Sequence, residues 1–136
     1  MVTRAAANLP ASTTSDLFIV AGGRVLLTGI VGEVTTVIQA QACASKLRMA
    51  PITGTAVDLC ATLDISGKEI GTLLGVTGTF ATAMVGPNAG ATVYPSNRIV
   101  LPIGSVQLSC VATNTGQIKW AMTYIPLDEG ATVSAA

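Results

Sequence analysis

Apolar and polar residues alternate twice between Gly104 and Tyr124. Val106, Leu108, Cys110 and Ala112 interleave with Ser105, Gln107, Ser109 and Thr113. Past Asn114-Thr115-Gly116, Ile118, Trp120, Met122 and Tyr124 interleave with Gln117, Lys119, Ala121 and Thr123. A period of two is the mark of a strand with one buried face, and two such runs around a glycine-bearing loop predict an antiparallel hairpin. The only tryptophan lies on its inward face. A lone hairpin is marginal in water, so another layer must cover that face.

The rest of the chain reads as more short strands. One starts at Leu17-Phe18-Ile19, turns at Gly22-Gly23 and continues as Val25 to Val31, with Gly32-Glu33 as punctuation. Such near-continuous apolar runs belong in the middle of a structure. Val34 to Cys43 is rich in β-branched residues and then alternates small residues with Gln, which favours a strand. Ser45 to Met49 puts Lys46 and Arg48 on one face, Leu47 and Met49 on the other. Val57 to Ile65 fits neither period and predicts a loop or a single helical turn leading into a short strand. Glu69-Ile70-Gly71 leads into a strand through Val76, and further strands are expected from Phe80 to Val85, Thr92 to Tyr94 and Arg98 to Leu101, with Gly86-Pro87-Asn88-Ala89-Gly90 as a loop.

Eight or so short strands without a long helix predict an all-β chain, an antiparallel β-sandwich with jelly roll as first choice and an immunoglobulin-like sandwich second. Residues 17–126 form that domain. Residues 1–16 read as an extended N-terminal arm and 127–136 as a C-terminal tail, because their small residues offer little to offset a backbone ordering cost of about 1 to 2 kcal/mol per residue. Residues 1–16 hold Leu9 and little else apolar, and residues 127–136 hold Leu127 and Val133, so these three are the candidates for contact with a partner. The neutral Gln107, Ser109 and Thr123 are the alternative contact surface.

Composition sharpens the picture. Half of the 136 residues are hydrophobic and only 10% are charged, against about 25% in an average domain. A surface so poor in charge suits a neutral polar β protein, or one whose exterior is covered by copies of itself or by a larger partner. Net charge is zero and the seven basic residues are scattered, so no nucleic-acid patch is written. Leu17 to Val31 is interrupted by Gly22-Gly23-Arg24 and too short to span a membrane as a helix, and it does not read as a signal peptide. Cys43, Cys60 and Cys110 are far apart and lack metal-type spacing, which predicts reduced, buried thiols made in a reducing compartment.

The chain has no histidine, which removes the usual general base, the commonest zinc ligand and every histidine-dependent triad. Asp58, Asp64 and Glu69 are the carboxylates left for acid and base work, and they read more simply as turn residues. Asp64 to Glu69 places oxygens at alternate positions but carries Lys68 and lacks the carboxylate density of a calcium loop. Gly67-Lys68 has no preceding glycine at phosphate-loop spacing, and no Ser-x-x-Lys occurs. With Trp120 and Tyr124 inward, only Phe18, Phe80 and Tyr94 could form an aromatic glycan platform. The expectation is a protein with no catalytic residue, cofactor or metal.

Five segments carry a resemblance: Asp16 to Val25, Gly32 to Thr36, Gly78 to Ala83, Ala112 to Trp120, and Tyr124 to Leu127. Together they resemble small virion proteins encoded in the structural gene clusters of tailed bacteriophages. That family is similar to capsid cement or decoration proteins, some of them jelly rolls seated on an HK97-type shell. The resemblance implies a structural protein on the capsid exterior, synthesised in the host cytoplasm, a dimer or trimer whose partner is the major capsid protein. It assigns no individual functional residue. A glycan- or peptide-binding sandwich, such as a head-fibre or tail adhesion component, is the other reading.

Overall fold

The computed structural model describes residues 1–136 and contains eleven strands: β1 (Val2–Asn8), β2 (Thr14–Ala21), β3 (Val25–Thr36), β4 (Ala44–Pro51), β5 (Val57–Asp58), β6 (Leu63–Asp64), β7 (Leu73–Gly75), β8 (Ile99–Leu101), β9 (Gly104–Cys110), β10 (Gln117–Pro126) and β11 (Thr132–Ala135). They form two antiparallel sheets packed as a sandwich. Sheet A runs β1-β10-β3-β7, with β8 also on β3; sheet B runs β11-β2-β9-β4-β5, with β6 also on β4.

The alternation predicted for residues 104–124 is present, but the pairing is not. β9 lies in sheet B between β2 and β4, and β10 lies in sheet A between β1 and β3. They are the two walls of the core rather than a hairpin. A period of two says which side chains are buried and is silent on which strand is the neighbour. The six residues Val111 to Gly116 separate the strands, enough chain to cross the roughly 10 Å between packed sheets.

On sheet A, Ile118, Trp120 and Met122 stand opposite Val34, Gly32 and Ile30. On sheet B, Leu108 pairs with Leu47, and Val106 lies between Met49 and Phe18. All the larger of these side chains belong to one buried cluster. Two register shifts extend it. One between Asp16 and Phe18 lets the consecutive Leu17 and Phe18 both be buried, and one between Thr123 and Tyr124 lets Leu27 and Ile30 both turn inward. Phe18 is thereby removed from any aromatic surface.

Gly32 does not interrupt its strand. The Trp120 ring packs over it so closely that a Cβ there would lie 2.8 Å from the ring, so glycine serves here as room for tryptophan. Other expectations change for want of a partner strand. Val34 to Cys43 is extended only to Thr36, and Phe80 to Val85 and Thr92 to Tyr94 form no strand, contributing only bridges at Ala83 and Val85.

The two ends are strands of the domain rather than loose arms. β1 covers β10, and β11 covers β2. Each adds an outermost strand to its sheet, and main-chain pairing with the strand inside it asks little of the side chains. The accessible surface, 6140 Å², is slightly below the roughly 6,600 Å² expected for a compact monomer of this mass, consistent with ends packed onto the domain. The C-terminal turn is fastened by Arg24, whose backbone N–H and Nε donate to Asp128 Oδ2 and whose Nη2 donates to Oδ1 at 2.8 Å. Those bonds hold the Asp128 carboxyl well below the usual carboxylate range.

Candidate interaction surface

The three apolar residues expected to reach a partner are placed differently. Leu9 and Val133 are buried in their own domain, Leu9 beside the 113–116 loop and Val133 on β11, where its N–H donates to the Tyr124 hydroxyl at 3.2 Å. Only Leu127 is exposed. The proposed Gln107, Ser109 and Thr123 surface also divides, since Gln107 and Ser109 lie on sheet B and Thr123 on sheet A.

The outer faces of the two sheets differ in chemistry. Across sheet B, Asp16, Gln107, Arg48 and Asp58 stand in one cross-strand row. Gln107 donates to Asp16 at 2.8 Å, and Lys46 pairs with Asp58 at 2.8 Å. Arg48 Nε is buried there without a hydrogen-bond partner, but the other charged groups of the row are paired and the face remains at ease in water. The alternation of Lys46 and Arg48 with Leu47 and Met49 was sufficient to foresee it.

Across sheet A the corresponding rows are apolar. Val100, Leu26 and Ile125 form one row, and Val31 and Ala121 another. Between them Gly29 pairs with Thr123, and the Tyr94 ring lies over Gly29, where a Cβ would come within 2.9 Å of it. Tyr94 is 60% exposed, Val100 53%, Ile125 49% and Phe80 47%. Phe80 and Val100 line a cleft of about 170 Å³ with Val57 at the sandwich edge, which continues the strip around the side of the molecule. One ion pair, Lys119 with Glu33 at 3.2 Å, bounds the far end. Beside it a shallow groove of about 560 Å³ is lined by Val31, Ala121, Ala5 and Arg4 among others. The strip escaped sequence reasoning because Leu26 sits in the run Val25-Leu26-Leu27, where periodicity cannot say which residue faces out.

The carboxylates singled out by sequence do separate jobs. Asp58 pairs with Lys46, Asp64 Oδ1 accepts the backbone N–H groups of Cys43 and Ser66 at 3.0 Å, and Glu69 belongs to a turn whose N–H donates to Asn88. The two backbone donors hold Asp64 below the usual carboxylate range. None of the three lines a cavity, so the structure does not bring them together.

All three cysteines are buried with free thiols. The Ser45 hydroxyl lies 3.4 Å from Cys110 Sγ and 3.5 Å from Cys43 Sγ. Burial pushes the Cys110 thiol up to about 11, and burial also raises Cys60. Because the thiolate is the reactive form, a thiol reagent at pH 8 is expected to label the native protein far more slowly than a free cysteine and to titrate three thiols in denaturant. Rapid labelling of Cys110 in the native protein would show that its site opens to water.

Fold and surface together define a class: a two-sheet antiparallel sandwich with one outer face rich in charged and polar residues and the other carrying an apolar strip. No protein-family model matches the chain, and comparison with curated proteins and with solved structures likewise gives no match.

Proposed function

We propose that this chain is a structural virion protein that decorates and cements the capsid shell of a tailed bacteriophage, with the major capsid protein as its partner and more than one copy in the working unit. The observation that carries a contact role is the apolar strip Val100, Leu26 and Ile125 with Tyr94 and Phe80, on a protein whose opposite face is charged and polar. Exposed apolar patches of this kind mark protein contact sites. The shell as partner rests on the sequence resemblance.

Strand order supports the jelly-roll form of this reading. β1-β10-β3-β7 faces β2-β9-β4-β5, and β1 to β4 alternate between the sheets, as do β9 to β11, as when two Greek keys roll into a double sheet. In an immunoglobulin-type sandwich the first two strands are instead neighbours in one sheet.

The test is binding to shells that lack the protein. Val100→Glu with Ile125→Glu is expected to weaken binding about tenfold or more, while stability changes by less than about 1 kcal/mol because both side chains are already half in water. Ser109→Glu on the opposite face is expected to bind normally. Loss of binding with Ser109→Glu and retention with the double variant would assign the contact to sheet B. A peptide-binding module is the second reading, favoured by the groove between β1 and the Lys119–Glu33 pair; binding lost only on substitution of Lys119 and Glu33 would select it.

A further inference from the structure

β1 is attached to its domain in a way that makes it exchangeable. It is the edge strand of sheet A, and its register on β10 breaks between Arg4 and Ala7. Arg4 Nε is buried there without a hydrogen-bond partner. The firm hold comes at the end of the strand, where Leu9 and Pro10 are buried.

The link to β2 is the exposed triplet Ala11-Ser12-Thr13. Ser12 has φ of 53° and is the only non-glycine residue with a positive φ, a conformation in which a side chain crowds its own backbone. The bonds at Leu9 and Ser12 are long, Leu9 N–H to Gly116 O, Ser12 N–H to Ala112 O and Ser12 Oγ to Val111 O each measuring 3.4 Å, and the short bond comes only at the β2 end, where Thr13 O accepts from Cys110 N–H at 2.9 Å. The other terminal strand shows the contrast. Before β11 the positive φ falls on Gly130, and the Arg24–Asp128 pair staples the turn.

We infer that residues 1–10 exchange between copies of this chain, β1 of one protomer lying on β10 of a second with Leu9 in the same recess. The contacts of the segment are the same in both arrangements, so the hinge and the protein concentration set the balance. An open hinge runs extended and frees Ser12 from the left-handed region, and short hinges under strain favour exchange. The inference concerns copies of this chain alone and does not rest on the capsid reading.

The test uses Thr3 and Ala121, which are cross-strand partners. Full-length Thr3→Cys and Ala121→Cys chains are refolded together at high concentration and oxidised. A disulfide joining the two different chains is expected well above the background from each variant alone, because it requires β1 of one on β10 of the other. With one engineered thiol on each chain, the covalent product that supports exchange is a dimer. Ser12→Gly, which relieves the closed hinge, is expected to lower the exchanged yield about tenfold per hinge. The doubly substituted chain, cross-linking within itself at high dilution, verifies that the engineered pair meets. Absence of the mixed disulfide while that internal cross-link forms would overturn the inference, as would a yield untouched by Ser12→Gly.

Discussion

Replacing Trp120 by alanine is expected to destabilise the domain by about 3 to 5 kcal/mol and to lower Tm by about 10 °C or more. The indole is 2% exposed and lies in the wall of the core between Ile118 and Met122, over Gly32. Nothing on the facing strand can collapse into the vacated space, because the residue beneath is a glycine. The same geometry makes a second substitution informative. Gly32→Val alone should clash with the ring, whereas in the Trp120→Ala background it should recover part of the loss, a non-additivity that denaturant titration of the four proteins would measure. Additive effects would show that the ring does not rest on Gly32.

Deleting residues 1–10 is the second large effect. If these residues were a loose arm, the remaining sandwich would melt as before. As β1 and its buried Leu9 they contribute packing and main-chain pairing, so the truncated protein is expected to lose about 2 to 4 kcal/mol, the release of backbone order offsetting part of the lost burial. It should also aggregate more readily, since the open edge of sheet A passes from the short, irregular β1 to the longer β10. Thermal melting with light scattering checks both, and a synthetic peptide of residues 1–10 added in trans should raise Tm in proportion to its occupancy. An unchanged Tm for the truncated chain would mean that β1 contributes nothing to the fold.

These two predictions mark different depths of legibility. The burial of Trp120 follows from alternation: inward Ile118, Trp120 and Met122 are separated by outward Lys119 and Ala121 whatever pairs with them. The docking of β1 does not follow from its residues, because Val2-Thr3-Arg4-Ala5-Ala6-Ala7-Asn8 gains its place from the free edge of β10, which exists only once sheet A has formed.

The candidate surface divides in the same way. Lys46 and Arg48 announce a polar outer face in a clean alternating run. The half-buried Leu26 and the exposed Val100 become an outward-facing pair only through the antiparallel register that sets them side by side. Tyr94 reaches the same face because Gly29 leaves room above it.

By itself, then, the sequence determined the class of structure and the two faces of its principal strands, because a period of two is local and every residue of β9 and β10 expresses it. It could not decide their partners. β9 and β10 look like a hairpin yet belong to opposite sheets, since a six-residue connection permits either arrangement and only the packing of Leu108 and Trp120 within one shared core selects the sandwich. The strand through Gly32, the irregular course of Val37 to Cys43 and the seating of both termini were likewise settled by neighbours distant in the chain. Pairing energy resides in contacts between strands, and those contacts are made only in the tertiary structure.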